Sequence, residues 1–182
     1  MKSKITLLAI LLLSWGSFAQ AQGHDCPCVD KETLAINQAY HEGALGLDSA
    51  VVDRLQNAEL IAMVNAASYD HQAKLKELNA ISINAGIPFK PSDLSQGFSA
   101  RASKSAILMK GQSGDDLDHA YLDFRANELQ RLLTAFDTYF ITDVTTPTMK
   151  AWVKPERARL MEQYNAIRTL QQKIMGFVAI SN

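Results

Sequence analysis

Residues that interrupt helices are grouped in three short clusters in this 182-residue chain, and this grouping constrains the fold more than any other feature. The first cluster combines Gly86-Ile87-Pro88 with Pro91-Ser92-Asp93, the second is Gly111–Gly114, and the third runs from Thr142 to Pro147. Between the clusters Ala, Leu, Gln, Lys and Glu dominate, and β-branched runs with a period of two are absent. The sequence therefore predicts long helices joined by short connections.

Apolar residues spaced three and four positions apart support this prediction. We expect helices over about 30–56, 57–85, 94–110, 115–140 and 148–178, and the apolar residues of 57–85 form one stripe. Four of these helices are long and one is short. The sequence thus predicts an all-α protein, an up-down four-helix bundle with an additional short helix.

Several residues predict local features of these helices. Gly43 and Gly46 predict a kink or break in the first helix, and Pro155 should bend the last helix or divide it into two. Gly86 is expected to cap the C-terminus of the second helix. Asp115 or Asp116 is expected to be the N-cap residue of the fourth.

The N-terminus has the three parts of an export signal. Lys2 and Lys4 precede an apolar run, Ile5 to Leu13, that is too short to span a bilayer stably. Ala19-Gln20-Ala21 then supplies the small residues that a signal peptidase accepts. We therefore predict a signal peptide at 1–21 and an exported mature protein, periplasmic or extracellular, that begins at Gln22.

The mature chain has the size of one domain, since removing 21 residues from 182 leaves 161. We assign 22–29 as a flexible tail and 30–180 as the helical bundle domain. The formal net charge changes from −1 to −3 when Lys2 and Lys4 are removed, and no basic block remains. The net charge and the lack of a basic block do not indicate a nucleic acid or membrane partner. No later apolar stretch is long enough to cross a membrane. The sequence leaves open whether the protein binds a protein partner or forms a homo-oligomer.

Three groups of residues resemble a known family. They are Glu59-Leu60-Ile61-Ala62 with Asp70-His71; Ser113-Gly114-Asp115 with Asp118, Ala120-Tyr121-Leu122 and Phe136; and Pro147-Thr148-Met149-Lys150-Ala151-Trp152. Together they are similar to helix motifs of the domain of unknown function 4142 family, over roughly Asp30 to Leu170. That family consists of exported bacterial proteins, and the resemblance implies a ferritin-like helical bundle.

The family pattern carries one histidine in each of three helices. His71 stands at the first of these positions, whereas Glu128-Leu129 and Gln163 stand at the other two. A ferritin-like di-metal site also needs Glu-x-x-His motifs, and the sequence contains none. The sequence therefore argues against an oxidase of that class.

His71 lies on the apolar stripe of its helix and has two interpretations. It is either a hydrogen-bonded core histidine, with a partner across the bundle such as Glu128 or Gln163, or a metal or ligand contact. Asp70 and His71 point about 100° apart on a helix, so their side chains should not pair with each other.

The segment His24-Asp25-Cys26-Pro27-Cys28 brings two thiols and an imidazole together. His24, Cys26 and Cys28 are thus candidate ligands for a copper or zinc ion. The alternative is a tail whose thiols are oxidised to each other or between chains.

No complete catalytic constellation is recognisable, because the chain lacks a Gly-x-Ser-x-Gly elbow, a Walker loop and a dinucleotide fingerprint. Two functional hypotheses remain. The first is a non-catalytic binding or envelope-associated module that requires no cofactor. The second is a metal-handling protein that uses His24, Cys26 and Cys28, with or without His71.

Overall fold

The computed structural model describes residues 27–176, with side chains from Val29 onward, and this part of the chain is all-α. Its helices are α1 (Pro27–Val51), α2 (Ala58–Ala85), α3 (Asp93–Met109), α4 (Gly114–Ala135), α5 (Ile141–Asp143) and α6 (Pro147–Met175). A 3-10 turn, Val52–Arg54, follows α1, and a π-helical segment, Phe136–Phe140, connects α4 to α5. The predicted all-α class and helical bundle are confirmed. None of the described helices is both long and apolar enough to cross a membrane.

Helix α1 begins at Pro27, earlier than the sequence indicated. Proline is favoured in the first helical turn because its missing N–H would be unpaired there, and Val29 already packs against the core. Residues 27–29 of the predicted tail at 22–29 are therefore helical. The predicted signal peptide, 1–21, lies outside the described residues, as do His24, Cys26 and the end of the predicted domain, 177–180.

Of the kink or break predicted at Gly43 and Gly46, the break does not occur, because α1 is continuous through both residues. A Cβ atom at Gly43 would lie 2.8 Å from the Cβ atom of Ala102, closer than side-chain carbons approach. The glycine therefore allows α1 and α3 to approach closely, and this pair has the most extensive helix contact in the structure. The helix that the sequence treated as an addition is a main packing partner of α1.

Both ends of α2 follow capping rules. The Asn57 side chain accepts hydrogen bonds from the backbone N–H groups of Glu59 and Leu60, each at 3.0 Å. Gly86 has φ of +65° and caps the C-terminus, as predicted.

The predicted N-cap of α4 is wrong. Ser113 occupies the cap position, and Gly114, with φ of +66°, begins the helix before either aspartate. Asp115 and Asp116 lie in the first turn, where a carboxylate is favoured by the helix dipole.

Helix α6 is not divided at Pro155, contrary to one predicted outcome. Pro155 is exposed, and so is Ala151, whose carbonyl loses its usual helical donor. Because that carbonyl lies on the outer side of the helix, water can replace the missing bond without a helix end.

Two buried aspartates connect the helices at opposite ends of α1. Asp30, in its first turn, accepts hydrogen bonds from the backbone N–H groups of Thr145 and Thr146 at 2.8 and 2.9 Å. Asp118 of α4 accepts from the backbone N–H groups of Gln56 and Asn57 at 3.1 and 2.8 Å. We call Asp30 and Asp118 the end ties, since each joins a helix to a connection far away in sequence.

Candidate functional site

A cluster of polar side chains lies in the middle of the bundle, where the rest of the core is apolar. Helices α1, α2, α4 and α6 all contribute, and every member is at most 3% exposed. We call it the central polar cluster: Tyr40, His41, Asp48, His71, Tyr121, Arg125 and Glu156. Burial of so many polar groups is costly unless each finds a partner.

The hydrogen bonds of His71 and His41 determine which ring nitrogen carries the proton in each neutral imidazole. Arg125 Nη2 lies 2.7 Å from His71 Nε2, and His71 Nδ1 lies 2.8 Å from His41 Nδ1. A guanidinium only donates, so His71 Nε2 accepts and a neutral His71 carries its proton on Nδ1. His71 then donates to His41 Nδ1, which places the proton of a neutral His41 on Nε2.

The N–H group at His41 Nε2 has no hydrogen-bond partner among the described residues. It lies 3.9 Å from Glu156 Oε1, which is too long for a hydrogen bond. Both Glu156 oxygens already interact with other groups, because Arg159 donates to each of them and Lys74 Nζ lies 3.0 Å from Oε2.

Burial lowers the pKa of His41 well below its usual value, and the cationic groups of Arg159, Arg125 and Lys74 lower it further. Burial likewise lowers the pKa of His71, with additional effects of Arg125, His41 and Arg159. Both imidazoles are therefore neutral near pH 7. A histidine with such a low pKa is a poor general acid or base at that pH.

The geometry of the histidine pair fits a hydrogen bond better than a shared metal ion. Two ligands of one tetrahedral zinc ion, each at its usual bond length, would be about 3.3 Å apart, whereas the two Nδ1 atoms are 2.8 Å apart. Both nitrogens of His71 already make hydrogen bonds, one of them to a cation. Within residues 29–176, no group of three or more His, Cys, Asp or Glu side chains is placed to hold a metal ion.

Arg125 is the central cation of the cluster and is 3% exposed. Burial acts to lower the pKa of Arg125, but the neighbouring Tyr40, Tyr121 and Asp48 raise it above its usual value. None of the ion pairs within 4.0 Å in the described part of the chain includes its guanidinium. Its charge is therefore balanced only through space.

Asp48 is the carboxylate of the cluster that raises the pKa of Arg125. Its two oxygens accept hydrogen bonds from Tyr121 Oη at 2.7 Å and Ser68 Oγ at 3.2 Å. Burial raises the pKa of Asp48, while Arg125 and these donors act in the opposite direction. Burial also raises the pKa of Tyr40 and of Tyr121, so neither phenol is an anion near pH 7.

A cavity of about 300 Å³ between α2 and α6 reaches this cluster. Its polar lining residues are Arg125 of α4, Asp70 and Gln163, and Gln163 Nε2 donates to Asp70 Oδ2 at 2.9 Å. Gln163 Oε1 is buried and has no hydrogen-bond partner in the described structure. The remaining lining is apolar: Met63, Ala66, Ala67, Ala166 and Ile167.

The structure confirms that His71 is buried and that Asp70 and His71 do not pair, but the partners expected for His71 are wrong. Glu128 accepts hydrogen bonds from Arg101 at 2.7 and 3.2 Å, and Gln163 binds Asp70. Because Asp70 and His71 point in different directions, Asp70 reaches α6 while His71 reaches α1 and α4.

The structure describes no side chain of the other predicted ligands. His24 and Cys26 lie outside the described residues, and Cys28 is located only by its backbone, in the first turn of α1.

Sequence reasoning missed His41 and Arg125, although a signal for both existed. Leu34, His41 and Asp48 recur every seven residues on the buried face of α1. Arg125 lies four residues after Tyr121 and four before Leu129, on the inner face predicted for α4. A charged or polar residue at such a position indicates a buried polar contact.

No protein-family profile, no curated protein and no solved structure matches this chain. The assignment of the site therefore depends on its geometry.

Proposed function

We propose that the protein is an exported, non-catalytic binding module and that its ligand occupies the cavity between α2 and α6. The observation that carries this proposal is the cavity lining, which contains Arg125, a buried cation without an ion pair in the described part of the chain. Replacement of a buried charged group by an apolar residue often stabilises a protein, so a buried cation beside a cavity favours a ligand-binding role.

The proposed architecture is a ferritin-like up-down four-helix arrangement of α1, α2, α4 and α6, with α3 as the additional helix. All four of these long helices contribute to the central polar cluster, which supports this arrangement. We also propose membership of the domain of unknown function 4142 family. Gln163, at the position of the third family histidine, lines the cavity.

A binding role fits the chemistry of the cluster better than catalysis. The two buried imidazoles are neutral and mutually hydrogen-bonded, and His71 has no free nitrogen for a substrate. No serine or cysteine is among the residues that line the cavity.

A ligand screen tests the proposal directly. The mature protein, Gln22 to Asn182, should show a higher melting temperature with at least one group of small molecules, since a ligand at 100 times its Kd stabilises by about 2.7 kcal/mol. Ala67→Leu, which fills the cavity, should remove the effect. Stabilisation that persists fully in Ala67→Leu would contradict the proposed location.

Metal handling is the second candidate function. The beginning of α1 at Pro27 places Cys28 in a first helical turn, where the helix dipole favours the thiolate that copper and zinc require. We propose His24, Cys26 and Cys28 as the ligands, without His71. Metal analysis of the mature protein and of Cys26→Ser/Cys28→Ser separates this function from the first, because only metal handling predicts a loss of bound copper or zinc.

Export is part of both proposals. We propose cleavage after Ala21, and mass spectrometry of the exported protein should find Gln22 at its N-terminus. Retention of residues 1–21 would contradict it.

A further inference from the structure

We infer that the cavity between α2 and α6 binds a small organic carboxylate with a short aliphatic chain, and that Arg125 holds its carboxylate group. This inference rests on the proposed binding function and specifies its ligand class.

The charge of Arg125 is the first argument. The guanidinium is buried, and no carboxylate lies within 4.0 Å of it in the described part of the chain. Buried arginines are ordinarily paired, because an unpaired buried charge is expensive. An anion that enters the cavity would provide the missing contact.

The hydrogen-bonding capacity of Arg125 is the second argument. Nη2 donates to His71, and the Tyr40 hydroxyl is a further neighbour, but a guanidinium has more N–H groups than these contacts use. Its planar fork matches the two oxygens of a carboxylate, which accept two parallel hydrogen bonds.

The acidic residue beside the cavity does not favour a cation instead. Asp70 Oδ2 accepts hydrogen bonds from both Arg159 and Gln163, so its charge is already paired within the protein. A cationic ligand would also lie over the buried charge of Arg125.

The walls determine the rest of the ligand. Met63, Ala66, Ala67, Ala166 and Ile167 present aliphatic surface, which favours a hydrocarbon chain over a second charged group. A volume of about 300 Å³ is at the lower end for small-molecule sites and limits the length of that chain.

Isothermal titration of the mature protein tests this inference. The probes are acetate, butanoate, hexanoate and octanoate, with hexylamine, hexanol and inorganic phosphate for comparison. Affinity should rise with chain length from acetate until the cavity is full. Hexylamine, hexanol and phosphate should bind at least about tenfold more weakly than the best carboxylate.

Two variants and one control locate the site. Arg125→Met should weaken carboxylate binding about 10- to 100-fold, as expected for the loss of a charged hydrogen-bonded contact. Ala67→Leu keeps Arg125 but fills the cavity, and should weaken binding as well. Arg131→Met removes an exposed arginine from the same helix and should have no effect. Circular dichroism verifies that each variant is folded.

The outcomes separate this inference from the proposed function. Binding of hexylamine or hexanol as tight as that of hexanoate, lost in Ala67→Leu, would overturn the carboxylate assignment and leave a binding module. Phosphate binding as tight as that of hexanoate would also overturn it. The absence of carboxylate binding would overturn it as well, and so would binding that is unchanged in both Arg125→Met and Ala67→Leu. The proposed function fails on a different result: a wider ligand screen that finds no stabilising molecule, or only molecules whose effect persists fully in Ala67→Leu.

Discussion

The end ties and the central polar cluster are both buried and both polar, but they differ in how completely their atoms are paired. Asp30 and Asp118 are each 1% exposed, and both oxygens of each carboxylate accept hydrogen bonds from backbone N–H groups. In the central polar cluster, by contrast, His41 Nε2 has no hydrogen-bond partner and Arg125 has no ion pair among the described residues.

This difference separates two uses of buried polar groups. A carboxylate that accepts two backbone amides satisfies donors that the connections would otherwise leave unpaired, so it stabilises the fold. An unpaired buried group costs about 1–3 kcal/mol. The end ties therefore account for architecture, whereas Arg125 is the buried group with which the proposed ligand would pair.

The largest effect is expected at an end tie. Asp118→Ala leaves the amides of Gln56 and Asn57 without their acceptor and should lower the free energy of unfolding by about 3 kcal/mol. Asp116→Ala, an exposed aspartate in the same helix, should change it by less than about 0.5 kcal/mol. Urea unfolding measures both, and equal effects would show that Asp118 is not a tie.

A lower pH should reduce the free energy of unfolding through the two histidines of the central polar cluster. Below pH 6.5 the unfolded chain takes up protons on His41 and His71, while the lowered pKa values keep both imidazoles neutral in the folded state. The unfolded state then binds more protons, so stability falls as the pH falls, by at most about 1.4 kcal/mol per pH unit for each imidazole. The raised pKa of Asp48 opposes this trend at lower pH.

We therefore expect a loss of about 2 kcal/mol between pH 6.5 and 5.5, measured by urea unfolding at each pH. His119→Gln, which removes a histidine outside the cluster, should keep this loss, whereas His41→Gln should roughly halve it. A stability that does not change over this range would contradict neutral, buried imidazoles.

Arg125→Met should cost less stability than the loss of an end tie. The variant leaves His71 Nε2 without its hydrogen-bond donor, which destabilises the folded state. It also removes the cost of burying a charge, so the two effects partly cancel. We expect a loss of about 1 kcal/mol in the free energy of unfolding. A loss as large as that of Asp118→Ala would mean that Arg125 is structural.

The smallest effect is expected at the surface. Arg157 donates two hydrogen bonds to Asp137, but their side chains are 31% and 49% exposed. Arg157→Ala should therefore change the free energy of unfolding by less than about 0.5 kcal/mol. A larger loss in thermal or urea unfolding would show that the pair supports the π-helical segment that contains Asp137.

The helices could be predicted from the sequence because their signals are local. The spacing of apolar residues and the three glycine and proline clusters place the helices, and Gly86 follows a rule that involves only its neighbours. The role of Gly43 could not be predicted, because it depends on contact with Ala102 of α3. The sequence does not show which residues of α1 and α3 face each other.

The site could be predicted only in part, since it depends on how the helices are rotated against each other. The position of His71 on an apolar stripe indicates that it is buried, and this is confirmed. Its partners, His41 and Arg125, come from two other helices. A change in the rotation of α1 or α4 by one residue would bring different side chains to His71, so spacing alone cannot select them.

The most direct test of the account measures two quantities in two variants: the free energy of unfolding and the affinity for hexanoate. We predict that Asp118→Ala loses about 3 kcal/mol of stability and keeps its affinity, because Asp118 is not among the residues that line the cavity. Arg125→Met should lose at least about tenfold in affinity and only about 1 kcal/mol of stability. If both variants instead lost stability and affinity in parallel, the distinction between a structural periphery and a ligand-binding centre would be contradicted.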